Sequence, residues 1–288
     1  MNITNIFKRK IINFVRKFGY DIKGIKKNIK HNNFDSIIKF LLQNKKLEDH
    51  LYFDVGANLG QSIKRFKQIN SNSTIHSFEP TPDLFDNLVK NFKYDEKVVL
   101  NKKAISDKKN EKIDFYSFKY HKINSAVPID KKSKFSKSRI LASNSEEKKF
   151  ENLISVETLT IDDYCEQNQI KEIDLIKIDT QGFETKVLEG MKKMLKENKV
   201  SIIELELILG FGYTKNFSFY DYEKILNPEN YKLIAIDTAD NVISFSNYQT
   251  NLLYVKNEIF ENIRHIQEQN IEIKGVTNKT DKSHPFSY

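Results

Sequence analysis

The stretch FDVGANLG, residues 53–60, gathers residue types that can hold a nucleotide. Asp54 stands two residues before Gly56, and three residues, Asn58 in their middle, separate Gly56 from Gly60. Glycines let backbone amides approach a ligand closely. A helix beginning near Gly60 or Gln61 would turn its positive end toward a carboxylate or phosphate there. A P-loop requires four residues between its glycines and then Lys-Ser or Lys-Thr, whereas Gln61 and Ser62 follow here, so that reading fails. A dinucleotide fingerprint requires a glycine where Asn58 stands. S-adenosylmethionine has no pyrophosphate and does not need that glycine, and Asp54 can place a carboxylate near its ammonium. Glu79, nineteen residues after Gly60, can accept hydrogen bonds from both hydroxyls of a ribose. NAD-binding proteins use an acid at the same place, so Glu79 speaks for an adenosine ligand without choosing between the two.

A second constellation is DLIKIDTQGFE, residues 174–184. Asp179 ends a strand-like run, where it can act as a general base or as one ligand of a divalent cation such as Mg2+. Lys177 shares its side of the strand. A lysine inside an apolar run is costly to bury unpaired, so pairing with Asp179 is expected. Glu184, on the first turn of the following helix, can join them or simply suit the positive end of that helix. Glu204 and Glu206 alternate along a strand and face one side, either toward substrate or cation or at a solvated edge. The six histidines are scattered without ligand spacing, and His121 is the one to test as a base. The single cysteine, Cys165, rules out an internal disulfide and a cysteine-built metal site, and reads as a small buried residue.

These groups must be positioned by strands and helices that alternate from residue 51 onward. LYFDV, STIHSFE, KVVLNKKAIS, LIKID and SIIELEL read as strands, and YKLIAID with NLLYVKN as a closing antiparallel pair joined through DTADN. QSIKRFKQI and the residues after Thr81-Pro82 read as helices. Phe183, Val187, Leu188, Met191 and Leu195 read as one face of another helix. The pattern predicts an α/β, doubly wound, mostly parallel sheet covered on both faces. Helical periodicity over residues 3–18, and again at Phe34, Ile37, Ile38, Leu41 and Leu42, predicts a helical N-terminal region at 1–49. The main domain is expected at 50–258 and a C-terminal extension at 259–288. Residues 119–150, basic and poor in apolar residues, read as a long functional or disordered loop.

FDVGANLG, HSFEPTPDLFDNLVKN, NKKAIS, LTIDDYC, DLIKIDTQGFETKVLEG and IIELE occur in that order. Over roughly residues 50–256 the chain thereby resembles the FkbM-type S-adenosylmethionine-dependent methyltransferases. The resemblance implies a Rossmann-like, seven-stranded class I methyltransferase fold. It also implies methyl transfer to oxygen, commonly a hydroxyl of a sugar or a natural product. By position, it implies that Asp54, Gly56, Asn58 and Gly60 surround the methionine portion of S-adenosylmethionine. Glu79 would hold the ribose, and Ala104 and Ile105 would border the adenine. Gln181 departs from the glutamate commonly found before the glycine, so any role of that acid passes to Asp179 or Glu184.

A net charge of +8 and an isoelectric point near 9.1 favour anionic company, although abundant Asn, Lys and Ile from an A+T-rich coding sequence explain it equally well. Lys119, Lys122, Lys131, Lys132, Lys134, Lys137 and Arg139 suggest a small-molecule or glycan acceptor bearing phosphate. No nucleic-acid partner is expected, because the loop shows no stacking platform or recognition motif. The basic N-terminal helix is suited to peripheral membrane contact or to packing on its own domain. No run approaches the ~18–20 apolar residues of a membrane span, and the expected compartment is the cytoplasm. Two rivals remain at this level. One is a nicotinamide-dependent sugar-nucleotide oxidoreductase or epimerase, opposed by Asn58. The other is a non-catalytic binding scaffold, opposed by the acids at Asp54, Glu79 and Asp179.

Overall fold

LYFDV extends as β1, Leu51–Val55, and its residues alternate between two apolar layers, Tyr52 on one face and Phe53 on the other. A computed structural model describes the chain over residues 34–43, 46, 50–142, 151–208, 212–215, 218–237 and 249–272. The helix expected over residues 3–18, the DTADN turn beyond Asp237 and the residues after 272 lie outside that description. Before β1 comes α1, Phe34–Leu41, with Phe34 and Ile38 buried. After it come α2, Gln61–Ile69, then β2, Thr74–Phe78, α3, Pro82–Phe92, and β3, Val98–Asn101. Thr81 and Pro82 open α3, the proline at a position whose N–H would lack an intrahelical partner anyway.

The chain then leaves the main sheet. KVVLNKKAIS is not one strand: β4, Ala104–Ile105, pairs with β6, Glu151–Leu159, which in turn pairs antiparallel with β5, Lys112–Phe118. Among the described residues between β5 and β6 are a 3₁₀ turn, His121–Ile123, and α4, Lys134–Ala142. The first part of the 119–150 segment is packed and not solvated. Ile123, Val127 and Ile129 are buried with Phe118, Ile208 and Tyr213, and Asp130 N donates to Gly212 O at 2.9 Å.

The main sheet resumes through α5, Ile161–Gln167, β7, Ile173–Ile178, α6, Glu184–Glu189, α7, Lys192–Lys196, and β8, Val200–Ile208. It closes with α8, Phe219–Leu226, β9, Tyr231–Asp237, β10, Gln249–Lys256, and α9, Asn257–Glu272. Its seven strands run in the order β3-β2-β1-β7-β8-β10-β9, with β10 antiparallel to both neighbours and the other pairs parallel. Helices α1, α2 and α3 cover one face through Ile38, Ile63, Phe66 and Leu88, joined there by Ile259 and Phe260 of α9. Helices α5 to α8 cover the other through Tyr164, Val187, Leu195 and Leu226. Each such fully buried side chain contributes about 1.5–3 kcal/mol.

The single helix expected over residues 183–195 is broken into α6 and α7. A β-carbon on Gly190 would meet the Ser106 carbonyl oxygen at 1.9 Å, so only glycine admits this close crossing. Asp162 then restarts the helix from outside, accepting from Lys193 N at 2.8 Å and Met194 N at 3.0 Å.

Candidate functional site

The strand order reverses between β1 and β7, and the cleft of an open parallel sheet lies beyond the carboxyl ends at such a point. Here the cleft encloses about 650 Å³. Gly56, Asn58 and Gly60 all have left-handed backbone, with φ of +90°, +52° and +82°. A β-carbon on Gly56 would stand 2.0 Å from the Asp179 carbonyl oxygen, so this glycine lets the ends of β1 and β7 touch. The turn's own amides are largely engaged: Gly56 N and Ala57 N both donate to Phe78 O at 3.0 Å, and Asn58 N donates to Glu79. Donors for a ligand therefore come from the first turn of α2, whose N-cap, Gly60, offers no side-chain cap.

Glu79 lies 4% exposed at the end of β2 and lines the cleft. Its Oε2 accepts from Asn58 N and its Oε1 from Thr81 N, both at 2.9 Å. Each oxygen retains a lone pair, so the acid that anchors the turn can also take ribose hydroxyls. Burial raises its pKa against those hydrogen bonds. Ala104 and Ile105 line the same end of the cleft, together with Ile113 and Phe115 of β5 and Ala126. Those last three were missed from the sequence; the alternation of apolar Ile113 and Phe115 in KIDFYSF was the available signal.

Strand register arranges polar residues in rows on the α1–α3 face of the sheet. Asp54, Lys177 and Glu204 are neighbours on β1, β7 and β8. Asp54 is fully buried, does not line the cleft, and neither carboxylate oxygen meets a donor in regular geometry. Burial pushes its pKa up to about 7, while Lys177 and the nearby Ser62 hydroxyl pull the other way. Arg65 of α2 donates to both oxygens of Glu204, at 2.7 and 2.8 Å, and to Asp35 of α1 at 2.6 Å. Glu204 and Glu206 are 3% and 5% exposed, so they form no solvated edge.

Lys177 Nζ donates to Asp179 Oδ2 at 2.7 Å, the pairing expected from their spacing. Burial opposes ionisation of Asp179, yet the charge and hydrogen bond of Lys177, with a further bond from Gln181 Nε2 at 3.1 Å, hold its carboxyl below the usual range. Glu206, pressed by burial and by the Asp179 charge, keeps its proton well above the usual range. Gln181 bridges the two, donating to both carboxyls while its Oε1 accepts from Tyr213 OH at 2.8 Å. Glu184 turns away from the cleft. Its oxygens accept from Thr180 N at 2.9 Å and from Gly182 N at 3.1 and 3.0 Å, stitching the turn that follows β7. This acid positions the turn and is not placed to touch a substrate.

Among the described residues, no group of three or more His, Cys, Asp or Glu side chains is placed to hold a metal ion. Asp179, the metal ligand considered from the sequence, is instead held by Lys177. His121 lines the cleft, with burial and Lys122 lowering its pKa. Its Nδ1 is buried without a partner, and its carbonyl accepts from Asn58 Nδ2 at 3.0 Å. Cys165 is buried, and burial pushes its thiol up to about 12. Of the seven cations in the basic loop, Lys122 lines the cleft, Lys119, Lys131, Lys132, Lys134 and Lys137 do not, and the Arg139 side chain lies outside the description. A Tyr-x-x-x-Lys pattern, the mark of one oxidoreductase class, occurs at Tyr220–Lys224, but neither residue lines the cleft. No helix among the described residues is long and apolar enough to cross a membrane.

Among the described residues, five strands paired in parallel, an antiparallel β10 inserted before the edge strand β9 and a glycine turn after β1 define the class I, Rossmann-like methyltransferase fold. The chain belongs to the Methyltransferase FkbM domain family, which matches residues 54–233. It is 30% identical over 151 residues to the 2-O-methyltransferase NoeI of Sinorhizobium fredii, covering 52% of this chain and 61% of that protein. It is 25% identical over 169 residues to the hexuronic acid methyltransferase AglP of Haloferax volcanii, covering 59% of this chain and 61% of that protein. The chain thus spans about three fifths of the length of these two relatives. Among solved structures, an rRNA methylase from Streptococcus thermophilus aligns with a TM-score of 0.43 at 10% identity, covering 79% of this chain and 98% of that one.

Proposed function

We propose that the protein transfers a methyl group from S-adenosylmethionine to a hydroxyl oxygen of a carbohydrate. The observation that carries this reading is Asp179, paired with Lys177 at 2.7 Å, at the point where β7 meets the glycine turn of β1, inside a cleft that also offers Glu79 and an apolar wall. The first turn of α2 and Glu79 would hold the methionine carboxylate and the ribose. Ala104, Ile105, Ile113 and Phe115 would cover the adenine. When bound, S-adenosylmethionine supplies a methyl group made electrophilic by a sulfonium. Asp179 orients the acceptor hydroxyl and takes its proton as the oxygen acquires the methyl group. Lys177 keeps Asp179 ionised, which makes it a weak base, so the larger contribution is alignment of the hydroxyl. The relatives' names support the two halves of the reading: one methylates oxygen, and the other acts on a sugar acid.

The test is methyl transfer from labelled S-adenosylmethionine to a panel of glycosides, with calorimetric binding of S-adenosylhomocysteine on the same preparations. Asp179→Asn should lower transfer about 100-fold or more while leaving that binding unchanged. Unimpaired transfer in Asp179→Asn, with loss in His121→Gln, would move the base to His121. Binding of NAD but not of S-adenosylmethionine would overturn the proposal, and binding of neither would favour a non-catalytic scaffold.

A further inference from the structure

Past Asp179, on the β8, β10 and β9 side of the sheet and away from Ala104 and Ile105, further residues line the same cleft and make up its second lobe. Its floor is the upper polar row: Asp179, then Glu206 on β8, Asn251 on β10 and Asp237 at the end of β9. Its wall is Glu204, Arg65 and Asp35, the last contributed by α1. Carboxylates therefore dominate the described lining: Asp35, Asp179, Glu204 and Asp237, beside the protonated Glu206, against the cations Arg65 and Lys177. Both cations are already matched, Arg65 by Asp35 and Glu204, and Lys177 by Asp179. Lys103 and Lys122 line the cleft from the segments that carry the adenosine end, and Lys103 is paired with Glu157 at 2.5 Å.

We infer that this lobe selects acceptors with no acidic group beside the methylated hydroxyl, a neutral or amino sugar, and excludes those bearing a carboxylate or phosphate there. The inference rests on the methyltransferase reading and gives it a substrate class. Carboxylates and the Asn251 amide oxygen accept hydrogen bonds, which suits the hydroxyl and ammonium donors of such sugars. An anionic group brought into the lobe would lose water and find like charge, the repulsive element on which discrimination between similar ligands commonly depends. The basic loop, which suggests a phosphate-bearing acceptor, does not alter this, because its described cations other than Lys122 face elsewhere.

The experiment compares three acceptors of one ring type, a methyl glucoside, a methyl glucosaminide and a methyl glucuronide. Transfer and binding to the S-adenosylhomocysteine-loaded protein are both measured. The glucoside and glucosaminide should exceed the glucuronide about 10–100-fold, with the gap narrowing as salt is raised. Asp237→Lys, at an exposed strand end where folding is not at risk, should raise the glucuronide-to-glucoside ratio about tenfold. A glucuronide equal to or better than the others overturns the inference. So does the absence of both transfer and binding for the two uncharged or cationic sugars. Failure of S-adenosylmethionine itself to bind identifies the other fault, in the methyltransferase reading.

Discussion

Asp54 is fully buried, with a carboxyl pKa raised from the usual 3.8 to about 7. The native state therefore holds a proton that the unfolded chain has already released between about pH 4 and pH 7. Unfolding loses protons in that window, so stability must fall as pH rises through it. The shift of roughly three units corresponds to about 4 kcal/mol at 1.36 kcal/mol per unit, present below the window and lost above it. Asp54→Asn keeps the shape and cannot ionise, so that pH dependence disappears. The variant has a separate handicap, a buried amide without an assured partner, costing about 1–3 kcal/mol at every pH. The assay is urea unfolding of both proteins from pH 4.5 to 8.5. The difference in unfolding free energy should move in favour of the variant by several kcal/mol across that range, with the variant less stable at the acid end. Two parallel curves would refute the reasoning, since they would mean that Asp54 titrates as an ordinary carboxylate and that Lys177 fully offsets its burial.

Gly56→Ala must place a methyl group 2.0 Å from the Asp179 carbonyl at φ +90°, and the backbone there cannot move aside cheaply. A loss of about 2 kcal/mol or more is expected in urea unfolding, with S-adenosylhomocysteine binding abolished. Glu79→Gln replaces one acceptor of two backbone N–H groups by a donor; binding of S-adenosylhomocysteine by calorimetry should weaken about 10–100-fold. Glu184→Gln disturbs the Thr180–Gly182 turn without touching the cleft, so methyl transfer should fall while S-adenosylhomocysteine affinity stays unchanged. Equal losses in both measurements would return Glu184 to the site itself.

The sequence carried the main sheet well because its strands are apolar on both faces and its turns are marked by glycine. Asp179, Lys177, Glu79 and the FDVGANLG turn were legible for the same reason: each sits at the end of such a strand. Helix first-turn acids are ambiguous, and Glu184 shows why. Its spacing allows it to face forward or to fold back onto Thr180 and Gly182, and only the positive φ of Gln181 and Gly182 decides for the latter. The small sheet escaped notice because β6 is exposed along much of its length, which removes the alternation that reveals a strand. The break at Gly190 depends on Ser106, more than eighty residues away, and has no local signature. Arg65 has no local signature for the same reason, since its partners Asp35 and Glu204 belong to two other elements.

Those partners make α1 part of the cleft. Across the sheet, charges alternate in sign from Asp35 to Arg65, Glu204, Lys177 and Asp179, each member next to the one that compensates it. Asp54 stands beside Lys177 outside this sequence, and burial raises its pKa to about 7. Buried pairs of this kind add little net stability, because desolvation offsets most of the attraction. What the chain of charges does is fix protonation. Lys177 stays cationic between two acids, so Asp179 stays anionic at the cleft. Glu206, without a cation of its own, keeps its proton. A glutamate at Gln181 would bring a third carboxyl onto that pair, whereas the amide donates to both. With Gln181 in that place, one amide holds two adjacent carboxyls whose pKa values are pushed apart, Asp179 down and Glu206 up.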